Sequence, residues 1–487
     1  MESLIKNAVL VGIQLPKISN EEHEASLQEL ARLVKTLGYE VVGRVNQRRS
    51  SDRSASILGE GKLKELAEWT GGSGKIAAMV EHKLSKAQEK WKLEKDEEEK
   101  TAQNEDEFSE EDSADSEQSG EAADASGNES LFGLDEKLKG SAQIVIVDTD
   151  LSPSQIRNLE SAAGVPVLDR TGVIIEIFSR HARTKAARLQ VEIARLTYVA
   201  PRLRETGGNE DRGGGGVGGK GSGESSLELD RRKIRDRIKE LKQELASIGN
   251  EHQVRRARRE QEISVALVGY TNAGKSSLMR AMTGSEVLVA DKLFATLDTT
   301  IRPLHPETRP KVLLSDTVGF IKKLPHDLVA SFKSTLDEAL NASLLLYVVD
   351  SADPSFRSQL EVTRTVLAEV GAQDIPSLLI LNKRDQLSKD TAAELALEFP
   401  EAIFLSTRDK EDLKKLRDRI MSYFETEMID EEIFIPYMTQ GIIGEIRAKM
   451  RVLEEKYTEA GTILKVRSSE EAISRIKSRI KIKLAKD

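Results

Sequence analysis

Not one cysteine occurs among the 487 residues. That excludes disulfides, thiol nucleophiles, thiolate zinc sites and cysteine-held iron–sulfur clusters, and it fits a reducing compartment. Aromatic residues make up only 4% of the chain against 32% charged, a balance expected of aliphatic cores with well-solvated helix faces. Long apolar runs are missing too, since Leu344–Val349 and Val265–Val268 fall far short of the roughly 20 residues that cross a bilayer. The stretch Ala8–Leu15 lacks a basic leader and the length of a signal core, so it reads as a buried strand and the expected location is the cytoplasm.

Acidic charge is concentrated in one place. Residues 94–130 hold 16 Asp or Glu and two Lys, a local charge of −14 within a formal total of −9, which leaves the rest of the chain at +5. Rich in Glu, Asp, Ser, Gly and Ala, this stretch cannot bury enough apolar surface to offset its ordering entropy and is expected to be a disordered insert. The remaining body is mildly basic, which is compatible with a polyanionic partner. A chain of this length exceeds one hydrophobic core, so several domains are expected.

Periodicity divides the chain further. Val9–Ile13, then Leu27, Leu30, Ala31, Val34 and Leu37 at helical spacing, then Tyr39–Val45, read as strand, helix, strand. A second round follows the acidic stretch, with a strand at Ile144–Val147, a helix at Pro153–Ala163 and a strand at Val165–Leu168. An amphipathic helix spans His181–Leu196 and a charged one runs from about Leu227 to Arg259, separated by the glycine-dominated loop Gly207–Gly223. From there strand candidates alternate with helices: Ile263–Val268, Lys311–Ser315, Leu344–Val349, Ser377–Leu381 and Ala402–Leu405, the pattern of a doubly wound α/β domain. The tail holds a strand at Ile433–Tyr437, a helix at Ile442–Tyr457 and a basic end. The expected domains are an N-terminal α/β domain at 1–197, a loop and long helix at 198–260, a nucleotide domain at 261–428 and a small α/β domain at 429–487.

Gly269-Tyr270-Thr271-Asn272-Ala273-Gly274-Lys275-Ser276 follows the Ile263–Val268 strand and opens a helix from Ser277 to Met282. This is a P-loop in its required context. Its glycines let the backbone wrap phosphate oxygens, Lys275 reaches the β- and γ-phosphates, and the Ser276 hydroxyl ligates Mg²⁺. Asp316-Thr317-Val318-Gly319 follows the next buried strand, where the fold places a carboxylate that holds Mg²⁺ through water and a glycine that senses the γ-phosphate. Asn382-Lys383-Arg384-Asp385 follows the Ser377–Leu381 strand. The Asp385 carboxylate can accept two hydrogen bonds from the guanine N1–H and exocyclic amine, a donor pair adenine lacks. Ser406-Thr407 is expected to meet the guanine edge from the other side.

In this order the motifs resemble the Ras-like P-loop GTPases. That resemblance implies a first-switch threonine that binds Mg²⁺, and Phe294-Ala295-Thr296-Leu297-Asp298-Thr299-Thr300 stands in the right interval. Thr296 is the choice, with Thr299 and Thr300 as rivals. One departure has mechanistic weight: Phe320 stands where such enzymes commonly carry a water-positioning glutamine, so no catalytic residue is assigned and slow hydrolysis until a partner stimulates it is expected.

The resemblance is closer still to the HflX family. It is carried by the P-loop at 269–276, Leu-Phe-Ala-Thr-Leu-Asp at 293–298, Asp-Thr-Val-Gly-Phe-Ile at 316–321, Gly59-Glu-Gly-Lys62, Leu151-Ser-Pro-Ser-Gln155, Arg157-Asn-Leu-Glu160, Asp169-Arg-Thr171, Leu189-Gln-Val-Glu192, Pro201-Arg-Leu203 and Leu227-Glu-Leu-Asp-Arg-Arg232. It implies a Mg²⁺-dependent GTPase that binds the large ribosomal subunit, contacts its rRNA through the N-terminal domain and glycine-rich loop, and splits or rescues ribosomes, or serves their biogenesis, under stress. It also implies a cytoplasmic protein, partly on ribosomes or a membrane surface, monomeric when free and without a DNA partner. The family's Arg-Gly-Pro-Gly-Glu loop pattern is here Gly219-Lys-Gly-Ser-Gly-Glu224. Two other readings compete: a GTP switch with a protein or membrane effector, and a hydrolysis-poor scaffold.

Overall fold

The computed structural model describes residues 6–51, 54, 56–76, 136–203, 226–257, 262–284, 293–294, 299–323, 338–426, 428–439 and 441–484. The acidic insert at 94–130 and the glycine-rich loop at 207–223 lie outside the described residues. Two compact units emerge, one of Met1–Val34 with Gly38–Asp169, the other of Lys35–Leu37 with Arg170–Asp487.

The first unit is built on a parallel four-stranded sheet in which β1 (Lys6–Gln14) lies between β2 (Tyr39–Arg48) and β3 (Ile144–Val147), with β4 (Val167–Asp169) beyond β3. Ala8, Val9, Leu10 and Val11 are all wholly buried, which is why β1 reads as an unbroken apolar run rather than an alternating one. The parallel connections are made by α1 (Asn20–Thr36), α2 (Glu60–Thr70) and α3 (Pro153–Ala163). The start of α3 is set locally: Pro153 opens it, and Ser152 and Gln155 satisfy each other's backbone N–H in a capping box.

In the second unit, α4 (Arg170–His181) precedes α5 (Lys185–Val199). The helix expected at His181–Leu196 is α5, which starts only at Lys185, where Thr184 caps it by accepting from Ala187 N–H, and α4 before it was not foreseen. The charged helix α6 (Ser226–Ala257) packs its sparse apolar stripe on α5, with Leu241 against Leu189 and Ile193.

The nucleotide-type domain carries a six-stranded sheet ordered β10-β9-β8-β5-β7-β6. These strands are β5 (Ile263–Val268), β6 (Thr300–Pro303), β7 (Val312–Asp316), β8 (Leu344–Asp350), β9 (Ser377–Asn382) and β10 (Ile403–Phe404). All pairings are parallel except β6 with β7. From β5 the strands β8, β9 and β10 follow outward on one side while β7 and the edge strand β6 lie on the other, so the crevice beside β5 is a topological switch point, where doubly wound sheets bind ligands.

The tail forms an antiparallel sheet in the order β11-β13-β12, with β11 (Ile429–Pro436), β12 (Arg451–Thr458) and β13 (Gly461–Ser468). Two helices, Gly441–Lys449 and Glu470–Leu484, bury Ile442, Ile446, Ile473 and Ile476 against it. The helix expected to run to Tyr457 stops at Lys449. Ile446, Met450, Leu453 and Tyr457 have helical spacing, but only the first two are buried, while Leu453 is 39% and Tyr457 69% exposed. Pairing of β12 with β13 across a tight turn wins over that local pattern.

Candidate nucleotide site

The residues singled out at 269–276, 316–319, 382–385 and 406–407 gather at the carboxyl ends of β5, β7, β9 and β10. Among the first-switch residues, Ala295, Thr296, Leu297 and Asp298 lie outside the described set; Phe294 lies within it, 3% exposed and edge-on to Phe178 with ring centroids 4.5 Å apart.

The P-loop connects β5 to α7 (Lys275–Thr283). Gly274 has φ of 95°, and a Cβ there would stand 2.2 Å from Asn382 Nδ2, so only glycine fits. The same Asn382 amide donates to Ala273 O at 2.9 Å, tying the loop after β9 to the P-loop. Lys275 Nζ folds back on the carbonyls of Gly269 at 3.0 Å and Tyr270 at 2.7 Å. Burial pushes this ammonium down to about 8, with the Asp316 carboxylate pulling the other way. Ser276 Oγ donates to Asp316 Oδ2 at 2.7 Å, and Ser277 continues α7, half-buried.

The segment after β7 is laced to the P-loop. Phe320 N–H donates to Gly269 O at 3.1 Å, Thr271 N–H to Phe320 O at 2.8 Å, and Lys322 N–H to the Tyr270 hydroxyl at 2.6 Å. Thr317 Oγ1 donates to Leu267 O at 2.7 Å, and Val318 is buried. Phe320 itself is 2% exposed, so its ring is packing and offers no hydrogen bond to water.

After β9, Lys383 takes φ of 63° and its Nζ reaches Asp350 Oδ2 at 2.5 Å. Asp385 accepts from Ser406 Oγ at 2.7 Å and pairs with Arg408 at 3.5 Å. Arg384 turns instead to Asp409 and Asp412, at 3.2 and 3.0 Å. Thr407 is half-buried beside Ser406. Sequence reasoning missed Asp350 and Arg408. Only the placement of Arg408 two residues after Ser406 could have pointed to it, and nothing local pointed to Asp350.

These groups suit a magnesium nucleotide. Thr271 Oγ1 and Asn382 Oδ1 are buried and have no hydrogen-bond partner among the described residues, as expected where a polar ligand completes the site. No cluster of three or more His, Asp or Glu able to hold a metal occurs among the described residues. No helix among the described residues is long and apolar enough to cross a membrane.

Comparison with known proteins agrees along the chain. A family model described as 50S ribosome-binding GTPase matches residues 264–383. Models described as GTP-binding GTPase N-terminal and GTP-binding GTPase Middle Region match 24–101 with 121–179, and 181–259. The GTPase HflX of Gluconacetobacter diazotrophicus is 55% identical over 96% of this chain and 97% of its own. That of Caldanaerobacter subterraneus subsp. tengcongensis is 36% identical over 99% and 95%. A solved GTP-binding protein of Sulfolobus solfataricus in complex with GDP covers 86% of this chain and 98% of its own at 22% identity and TM-score 0.39. Identity at this level across almost the full length of both chains shows that the protein belongs to the HflX family of GTPases.

Proposed function

We propose that this GTPase binds Mg²⁺·GTP in the crevice beside β5, hydrolyses it, and uses the nucleotide state to govern association with the large ribosomal subunit. The observation that carries the nucleotide reading is the Asn382–Ala273 bond. It holds the base-reading segment at a set distance from the phosphate loop, so that one ligand with a guanine at one end and phosphates at the other spans both.

In this reading the P-loop amides and the α7 N-terminus receive the phosphates. Lys275 exchanges its two carbonyl partners for β- and γ-phosphate oxygens, which restores a full positive charge. Ser276 and, through water, Asp316 hold the metal, with Thr296 as the first-switch ligand. Magnesium, when bound there, would supply neutralisation of the charge on the phosphate groups. Asp385 accepts from guanine N1–H and the exocyclic amine, and Ser406 fixes that carboxylate from behind. Arg408 is released from Asp385 to cover the base. Phe320 cannot orient the attacking water, which supports slow turnover by the free protein.

The ribosomal part of the proposal is supported by the description of the matching family model and by α6, where Arg231, Arg235, Lys239 and Lys242 are exposed. Such a row suits neutralisation of RNA phosphates. Sedimentation with isolated 50S subunits tests it: co-pelleting should be strong with GMPPNP, weaker with GDP, and should fall at least about tenfold between 50 and 200 mM salt. Co-pelleting indifferent to both nucleotide and salt would point to a protein or membrane effector instead.

A further inference from the structure

A phosphate cradle of this kind is made of backbone, so the side chains at 270–273 are not spent on it. Tyr270 spends its hydroxyl on Lys322 N–H. Asn272 is exposed at φ of 62°, and Ala273 has no polar group. Thr271 differs from all three. It is 7% exposed, its N–H is committed to Phe320 O, and its Oγ1 has no hydrogen-bond partner among the described residues. A buried hydroxyl left in that condition is unfavourable.

Its position says what could relieve it. A Cβ built on Gly319 would lie 2.9 Å from both Cα and Cγ2 of Thr271 and 3.0 Å from Lys275 Nζ. The Thr271 side chain, the Lys275 ammonium and the Gly319 main chain therefore converge on one point. In a P-loop enzyme the lysine and the switch glycine meet at the terminal phosphate. The Thr271 methyl stands nearest Gly319, and the hydroxyl shares its carbon, one χ1 step from exchanging places with it. Phe320, which occupies the usual glutamine position, is buried and has no polar atom to contribute.

We propose that the Thr271 hydroxyl donates a hydrogen bond to the terminal phosphoryl group of GTP, so that a P-loop side chain distinguishes the triphosphate from the diphosphate. The inference rests on the nucleotide reading above and deepens it: affinity for GTP and for GDP is separable at one side-chain oxygen. Thr271→Val keeps the shape and removes the hydroxyl, whereas Thr271→Ser keeps the hydroxyl and removes the methyl.

The test is equilibrium binding of the full-length protein to GMPPNP and to GDP with magnesium. Thr271→Val should bind GMPPNP at least about tenfold more weakly than the parent, the scale of a hydrogen bond to a charged group. Its GDP affinity should stay within about twofold, which also reports that the variant is folded. Thr271→Ser should track the parent for both nucleotides. Wild-type GMPPNP affinity in Thr271→Val overturns the proposal, as does an equal loss for both nucleotides. A loss in Thr271→Ser matching that in Thr271→Val also overturns it, because methyl packing on Gly319 would then be the cause. Failure of the parent to bind either nucleotide would instead overturn the site reading itself.

Discussion

Two sheets in this chain, one wholly and one mainly parallel, share a plan and differ in what their carboxyl ends do with polar groups. At that end of the N-terminal sheet, long side chains satisfy one another. Gln14 bonds Ile18 O and Asn20, Arg48 reaches both Gln14 and Asn20, Ser26 donates to Asp148, and Leu151 N–H meets Asp169. The buried Asn46 Oδ1 is an exception. At the same end of the six-stranded sheet, the glycines of the P-loop and of the segment after β7 bring backbone close, as Gly274 does beside Asn382 and Gly319 beside Thr271. The groups there include a desolvated ammonium, a buried threonine hydroxyl and a buried amide oxygen. A sheet edge closed by its own side chains stabilises a fold; one lined by backbone and poorly satisfied polar atoms is prepared for a ligand.

Removing Lys275 should break the contrast most visibly. In Lys275→Ala, GTP affinity should fall at least about 100-fold by calorimetry, since a charge-assisted contact to phosphate is lost. The melting temperature of the nucleotide-free protein should hold or rise, because a buried cation is removed. A large drop in that temperature with affinity retained would make Lys275 structural. Next in size, Asp385→Asn should reverse base preference from guanosine toward xanthosine nucleotides by about 1,000-fold, measured by competition. Equal discrimination by the variant would remove Asp385 from the base site.

The Lys275 titration offers a subtler probe. With its folded value depressed to about 8 against an unfolded value near ~10.4, the penalty is fully present below pH 8 and is lifted as pH rises toward ~10.4. This group therefore makes the nucleotide-free protein more stable with rising pH across that window, by about 3 kcal/mol at most. Phosphate binding should restore the proton, so GTP binding at pH 8 should take up about half a proton and at pH 6.5 almost none. Calorimetry in two buffers of different ionisation enthalpy measures it, and equal heats at pH 8 would contradict it. The smallest effect belongs to the other sheet: Ser152→Ala, which opens the α3 capping box, should lower stability by about 1 kcal/mol by denaturant titration. GTP affinity should not change, and a coupled loss would mean that the two sheets are not independent in function.

The phosphate loop was legible in the sequence because its chemistry is contiguous: eight neighbouring residues, a strand before and a helix after, specify the cradle without reference to anything distant. Asn382 and Asp385 were readable for the same reason. The Asp350–Lys383 pair spans 33 positions and Arg408–Asp385 spans 23, so no local pattern announced either. Helix α4 was missed because Gly172–Phe178 is buried along nearly its whole length, and an element covered on all sides shows no amphipathic period. Strand β12 was misread because helical spacing continued past the last buried residue.

By itself, then, the sequence determined the GTPase family and five of the six strands of the nucleotide-type sheet, all but β6, since both rest on short-range patterns of residue type. Only the tertiary structure decided which polar atoms find partners. Thr271 is one threonine among many in the sequence; its hydroxyl becomes significant only because its side chain is buried beside Gly319 and Lys275. Burial and hydrogen-bond satisfaction belong to the packed whole, and they set the energy with which a site responds to its ligand.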